Sequence, residues 1–304
     1  MTTIPVPAAP VASAAASPPS RAPIPRRRLD FDFDPASVPR DWCASDPFLS
    51  TFCDSLSVLF PEGERFFIDS VRHLRSGVAD PGLQAQIAGF IGQEAMHGKE
   101  HRAFNDMLDR QGYAAAPRAE AGLRKLLGLG RRTLSPHSQL AITCALEHFT
   151  AMMAEGLLRE DGMCGDMHPS VRPLWIWHAL EESEHKAVAF DVYRATGGSA
   201  ARRVLVMVPI TWLFVAVVGR THVRFLAERG VLSRPWRWLR GIAHLWLWPG
   251  YLTRLVPAYL AYYRPGFHPD DRDTRALLEA WRERLFGEDG ELRRFVRDGE
   301  ASAA

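Results

Sequence analysis

Two segments of this chain put carboxylates and imidazoles where an amphipathic helix keeps its apolar residues. Positions 83, 87, 90, 94, 97, 101, 104 and 108 follow a 4-3-4-3 spacing and read Leu, Ile, Phe, Glu, His, His, Phe, Leu. Positions 171, 175, 178, 182, 185, 189 and 192 repeat the spacing as Val, Trp, His, Glu, His, Ala, Val. Such a stripe is the buried face of a helix. An isolated carboxylate there is costly, so it must be paired, hydrogen-bonded or metal-bound. Whatever these two helices pack against must therefore supply partners. Glu94 with His97, and Glu182 with His185, each stand at i and i+3 and can reach one point beside their helix.

Two further helical stretches each offer one carboxylate on an apolar face. Glu64 shares a face with Phe67, Ile68, Val71 and Leu74. Positions 140, 144, 147, 151, 154 and 158 read Leu, Cys, Glu, Ala, Ala, Leu, with Glu147 in the middle. The boundaries follow from caps and breakers. A short helical lead-in covers 46–60, and Pro61 opens a new helix that runs to about Ser76. A second helix runs from near Pro81 to before Gly112, and a Gly- and Arg-rich connection fills 112–134. Ser135 caps a third helix with Pro136 at its first position, ending near Glu160; a fourth runs from about Pro169 to Thr196. Few stretches alternate with period two, so the expected class is all-α.

The order is one Glu, Glu-x-x-His, one Glu, Glu-x-x-His on four successive helices. A ferritin-like four-helix bundle builds its dinuclear carboxylate site in this way. The expected ligands are Glu64, Glu94, His97, Glu147, Glu182 and His185. Four carboxylates and two imidazoles suit two ions such as iron or manganese, or zinc for hydrolysis. Glu181 competes with Glu182, and His178 stands one turn before it as a further candidate. His101 and His148 read as residues behind the ligands, Asp106 and Asp191 as acceptors that orient ligand imidazoles, and Glu100 as a solvated charge. The plainer alternatives are a helix-dipole role for Glu64 and an arginine partner for Glu147.

The rest of the chain is bounded by composition. With 304 residues, 47% of them hydrophobic, the chain can bury a full core. A net charge of +2 names no partner, and four cysteines without a CxxC pair fit a reducing, cytoplasmic setting. Residues 1–29 read as an Ala/Pro/Ser tail, 30–198 as the metal-binding bundle, 199–265 as an apolar, Arg/Trp-rich helical appendage and 266–304 as a C-terminal polar helix. Within the appendage, 204–219 is a run of sixteen nearly continuous apolar residues, short for a membrane span and kinked by Pro209. Residues 200–264 carry ten arginines against one glutamate, with tryptophan and tyrosine interleaved. That pattern fits either a hairpin packed on the bundle or a surface that meets anionic headgroups, and a peripheral membrane contact would suit a lipid-like substrate. Nucleic acid is not the expected partner, because no recognition motif is present.

The blocks "RRRLDFDF", "LFPEGERFFIDSVRHL", "FIGQEAMHGKEHRAFN" and "ALEESEHKAVAFDVY" resemble a bacterial family of predicted metal-dependent hydrolases, over about residues 26–265. The resemblance implies metal binding through the matched positions Glu64, Glu94, His97, Glu147, Glu182 and His185. The donor set itself favours a di-iron oxidoreductase that uses dioxygen on an apolar or lipid-like substrate. Hydrolysis through a metal-activated water is the alternative, and metal storage a third reading.

Overall fold

The computed structural model describes residues 23–159, 167–247 and 250–297. Its regular elements are helical. They are α1 (Pro47–Leu74), α2 (Pro81–Arg110), α3 (Ala115–Thr133), α4 (Pro136–Arg159), α5 (Arg172–His185), α6 (Val188–Ala195), α7 (Ala200–Glu228), α8 (Pro235–Trp246), α9 (Tyr251–Ala261) and α10 (Arg275–Phe286). Asp46 and Asp80 cap α1 and α2, each with proline at the first helical position, and Ser135 Oγ accepts from Ser138 N at the start of α4. α1 packs on α2 and α4, and α5 packs on α4 and α2, so four helices enclose one central volume.

Pro61 does not start a helix; it lies inside α1. Proline removes the N–H that would bond the carbonyl of Ser57, four residues earlier. Asn105 Nδ2 of α2 supplies that donor to Ser57 O at 3.1 Å, so the helix continues. The 112–134 connection contains the 19-residue helix α3, which lays Ala115, Ala116 and Ala119 on the bundle. The expected fourth helix is two, with a turn at Lys186–Ala187 directly after His185. α7 is 29 residues long and runs through Pro209, so the apolar run belongs to a longer helix than its sixteen residues suggest.

The segment 1–29 divides. Residues 1–22 lie outside the described residues. Residues 23–29 are not a solvated tail: Ile24 and Leu29 are buried, and Asp30 N donates to Phe295 O at 3.1 Å beside a Leu29–Val296 bridge. The N-terminal segment thus lies against the bundle and pairs with the C-terminal one. Cys43, Cys53 and Cys144 are buried thiols, and Cys164 lies outside the described residues.

The apolar core forms two clusters. One includes Leu49–Leu59, Phe104–Leu108 and Leu174–Leu180; the other includes Phe66–Val71, Leu83–Phe90, Leu140–Ala145 and Val188–Tyr193. On α1 and α2 the sequence passes from one cluster to the other at Glu64 and at Glu94–His97, and from α5 to α6 it does so at Glu182–His185; on α4 the change comes after Met152, past Glu147. The polar residues share the junction between two dry cores.

Candidate metal centre

At that junction two groups of ligand-type atoms form. Glu64, His97 and His178 present atoms within 4.8 Å of one another, and so do Glu94, Glu182 and His185; all six residues are buried. Glu147 joins the second group, with Oε2 3.6 Å from His185 Nε2. That same nitrogen lies 3.2 Å from Glu94 Oε1 and 3.5 Å from Glu182 Oε2, without hydrogen-bond geometry to any of them. Both carboxylate oxygens of Glu64, Glu94 and Glu147, with Glu182 Oε2, His97 Nδ1 and His185 Nε2, have no hydrogen-bond partner among the described residues. Buried polar atoms are almost always satisfied. A set of orphaned oxygens and imidazole nitrogens facing one another is what a pair of cations would satisfy, so the residues present fit the metal ions that their sequence pattern implies.

The groups behind the imidazoles fix their tautomers. Gln93 Nε2 donates to Pro25 O and to Glu184 Oε2, both at 2.9 Å, so its oxygen is what faces His185 Nδ1 at 2.9 Å. A neutral His185 ring therefore carries its proton on Nδ1 and presents Nε2 as a bare lone pair. His97 Nε2 meets the acceptor Glu181 Oε2 at 3.1 Å, which leaves Nδ1 bare. Asn105 Oδ1 takes the proton of Ser57 Oγ, Ser57 Oγ meets His101 Nδ1 at 2.8 Å, and His101 Nε2 meets His178 Nδ1 at 2.6 Å. In this chain, when each neutral ring donates backwards, His178 Nε2 keeps its lone pair; a ring protonated on both nitrogens instead donates Nε2–H to Glu182 Oε1 at 2.9 Å. Outer hydrogen bonds that set ring orientation and tautomer accompany metal-binding histidines.

Electrostatics reports the same crowding. Burial, then the charges of Glu94 and Glu182, push the Glu64 carboxyl well above its ordinary range. Burial, followed by Glu94, does so for Glu147. Burial raises Glu94 as well, against the opposing pull of His185. Glu182 goes the other way: burial opposes its charge, but His185 and His178 hold it well below the usual value. Burial would discharge His185, yet the Glu182 carboxylate and its neighbours pull the ring well above its ordinary value. Burial dominates His97 and lowers it.

All six residues predicted from the stripes, Glu64, Glu94, His97, Glu147, Glu182 and His185, come together here. His178 joins them. Glu182 faces the cluster, whereas Glu181 stands behind His97 and is held by Arg27 Nη1 at 2.9 Å. His101 stands behind His178. His148 is elsewhere: its Nε2 meets Ala258 O at 3.1 Å, and burial lowers its pKa to about 4. Asp106 is exposed, and Asp191 meets His268 Nε2 at 2.9 Å rather than a ring of the cluster. Glu100 is not solvated; it is buried and accepts from Phe31 N at 2.9 Å and Lys99 Nζ at 2.7 Å. Arg27, Gln93, Glu184 and Ser57 were missed. Their signal was faint: Gln93 and Glu184 each stand next to a ligand candidate, and Arg27 sits in the block "RRRLDFDF".

Two large cavities reach the cluster, and a small one of about 40 Å³ touches His178 and Glu182. One, of about 340 Å³, lies between α1, α3, α4 and α7; Glu64 and Glu182 are the charged side chains lining it, and the walls are almost wholly Leu, Ile, Val and Phe. The other, of about 270 Å³, is the more polar of the two, touches Glu147, and is lined by Lys186, Arg264, His268 and Arg272 among others.

A family model described as "Predicted metal-dependent hydrolase" matches residues 25–273. No curated protein matches the chain, and no solved structure does. The match spans most of the sequence, and the chain belongs to this family of predicted metal-dependent hydrolases. Among the described residues the fold is all-α.

Proposed function

We propose that this member of the predicted metal-dependent hydrolases is a dinuclear metalloenzyme acting on an apolar, acyl-chain-like substrate. The observation that carries the reading is the apolar cavity lined by Glu64 and Glu182, because it would accommodate the end of a long hydrophobic molecule beside the clustered carboxylates. The ions would be held by Glu64, His97 and His178 on one side and by Glu94, Glu147, Glu182 and His185 on the other. The mixed carboxylate and imidazole set suits iron, manganese or zinc. When bound, a metal pair supplies Lewis acidity that activates water and a substrate carbonyl, or, if it is iron, electrons for the reduction of dioxygen.

The chain's own residues do the rest. Gln93 and Glu181 hold the protons of His185 and His97 on the outer nitrogens. The cavity walls orient an alkyl chain and keep water from it. The more polar cavity at Glu147 gives water and protons a path of their own.

Hydrolysis is the reaction that the family description supports. A second reading, dioxygen-dependent oxidation, is favoured by the cavity lining: beside Glu64 and Glu182 its polar side chains among the described residues are Thr133 and Thr150, so the walls would hold an unactivated alkyl chain against the cluster.

The test is metal content of the purified protein, followed by assays of ester hydrolysis over a range of acyl lengths and of oxygen uptake with long-chain substrates, after loading with zinc, manganese or ferrous iron. Two ions per chain and chain-length-dependent turnover are expected. Ester cleavage with zinc or manganese selects hydrolysis; oxygen uptake with iron selects oxidation. A protein that retains no metal under any loading overturns the reading.

A further inference from the structure

α7 buries one face and leaves the other open. Its buried residues, Arg203, Met207, Ile210, Val218, Thr221, His222, Phe225 and Leu226, span nearly its whole length. It is long and apolar enough to cross a membrane, yet it cannot do so without taking α1, α3 and α4, on which it packs, into the bilayer. Its outer face is nonetheless apolar: Leu205 is 72% exposed and Trp212 73%. α8 extends this surface. Phe48 of α1 touches both, meeting His222 of α7 edge to face and receiving the backbone of Gly241 of α8 at a distance where no Cβ would fit. α8 buries only Gly241 and Leu245, and Trp236 is 82% exposed, with Leu239, Ile242, Trp246 and Leu247 also open. An apolar surface of this extent on a soluble molecule marks an interaction site.

The charge around it names the partner. Arg202, Arg220, Arg234, Arg237 and Arg240 are exposed on or beside α7 and α8, and Glu228 is the single acidic residue between 200 and 264. Exposed tryptophan and leucine mixed with arginine is the composition of a helix lying in a headgroup region. The apolar cavity opens here too. Leu126, Leu129 and Leu134 from α3 and its end, and Leu213 next to Trp212, both line the cavity and are exposed.

We propose that the outer faces of α7 and α8 seat the protein on an anionic phospholipid bilayer, with the cavity mouth between α3 and α7 turned towards the lipid. The docking stands on the surface alone. The further statement, that substrate passes from the bilayer into the cavity, rests on the function proposed above. Insertion of the tryptophans and attraction of the arginines supply two weak signals that together hold a peripheral protein on a membrane.

The experiment uses the full, metal-loaded chain and flotation with vesicles of phosphatidylcholine alone or with one third phosphatidylglycerol. Binding is expected on the anionic vesicles, with a blue shift of tryptophan fluorescence and loss at high salt. The double variant Arg234→Glu/Arg237→Glu should weaken partitioning on the order of tenfold or more. Trp212→Glu/Trp236→Glu should abolish it, with metal content unchanged in both. The proposal is overturned if the wild type ignores both vesicle types, or if both double variants bind as it does. It is also overturned if light scattering shows a dimer that Trp212→Glu/Trp236→Glu dissolves while vesicles capture nothing, since the face would then be a contact between two copies. Because metal content is measured without vesicles, failure of the metal site and failure of the docking surface are read separately.

Discussion

Arg27 Nη1 donates to Glu181 Oε1 at 2.9 Å across 154 positions of sequence. The same guanidinium grips Glu184 with both terminal nitrogens, at 2.8 and 2.9 Å. Through Glu181 it holds His97, and through Glu184 and Gln93 it holds His185. One residue of the N-terminal segment thus steadies an imidazole in each half of the cluster. Arg27→Ala leaves two buried carboxylates with Arg282 as the remaining cation on Glu184. A loss of about 3–5 kcal/mol of stability is expected from breaking such a pair, with metal affinity reduced about 10–100-fold. Arg27→Lys keeps the charge but not the fork, and should fall between. Metal titration and thermal unfolding check both. Full metal affinity in Arg27→Ala, with only the stability lowered, would reduce the residue to a clamp.

The relay Asn105–Ser57–His101–His178 makes a second expectation about the other half. Ser57 and His101 touch no cluster carboxylate; their effect passes through the His178 tautomer. His101→Ala should weaken one of the two metals by about 10–100-fold and leave the other in place. Ser57→Ala also removes the hydroxyl beside Asn105, and should act in the same direction but less. The check is stepwise metal titration: two equal affinities in His101→Ala would show that His178 needs no support from behind.

Stability should also carry a pH signature remote from the cluster. Asp54 is fully buried, Trp42 Nε1 donates to its Oδ1 at 2.9 Å, and Oδ2 has no hydrogen-bond partner among the described residues. Burial pushes its carboxyl up to about 8. The folded state therefore holds a proton that the unfolded chain, with an ordinary carboxyl near about 4, releases. The sign follows: this stabilisation is full below about pH 4 and is lost as pH rises to about 8. Asp54→Asn cannot ionise and offers an N–H₂ group in place of the orphaned Oδ2. It should match the wild type at pH 4 and exceed it by a few kcal/mol at pH 8. Urea unfolding at both pH values decides; parallel curves for the two proteins would refute the assignment.

How much of this was legible in the sequence depends on how far each partner lies along the chain. Glu94, His97, Glu182 and His185 announce themselves because the helical period alone exposes a carboxylate on an apolar stripe. Glu181 and Glu182 are adjacent, and only the position of Arg27 distinguishes them. Pro61 reads as a helix start because the amide that rescues the Ser57 carbonyl belongs to Asn105, 48 residues on. Glu100 falls off its helix's buried stripe and is covered by Phe31 from the N-terminal segment, which no helical wheel includes. Helix α3 carries three glycines, at 122, 128 and 130, that depress its propensity, and packing against α1 and α7 overrides them.

Gly63 gives the sharpest test of the cavity's role. It lines the apolar cavity from α1, one position before Glu64, and a Cβ built there meets nothing within 4 Å. It sits within a long helix. Helical glycine costs about 0.8–1 kcal/mol relative to alanine, so a side chain that fits should stabilise the fold. Gly63→Leu would also place four carbons in the space beside Glu64. If an alkyl chain occupies that space during turnover, Gly63→Leu should melt higher than the wild type, keep its metal, and lose turnover of long substrates while short ones survive. Activity on a chain-length series, with melting temperature and metal content measured on the same preparation, separates the outcomes. Equal loss on short and long substrates would point to damage at Glu64, and unchanged activity on the longest would place the substrate elsewhere, leaving the more polar cavity at Glu147 as the route to the cluster.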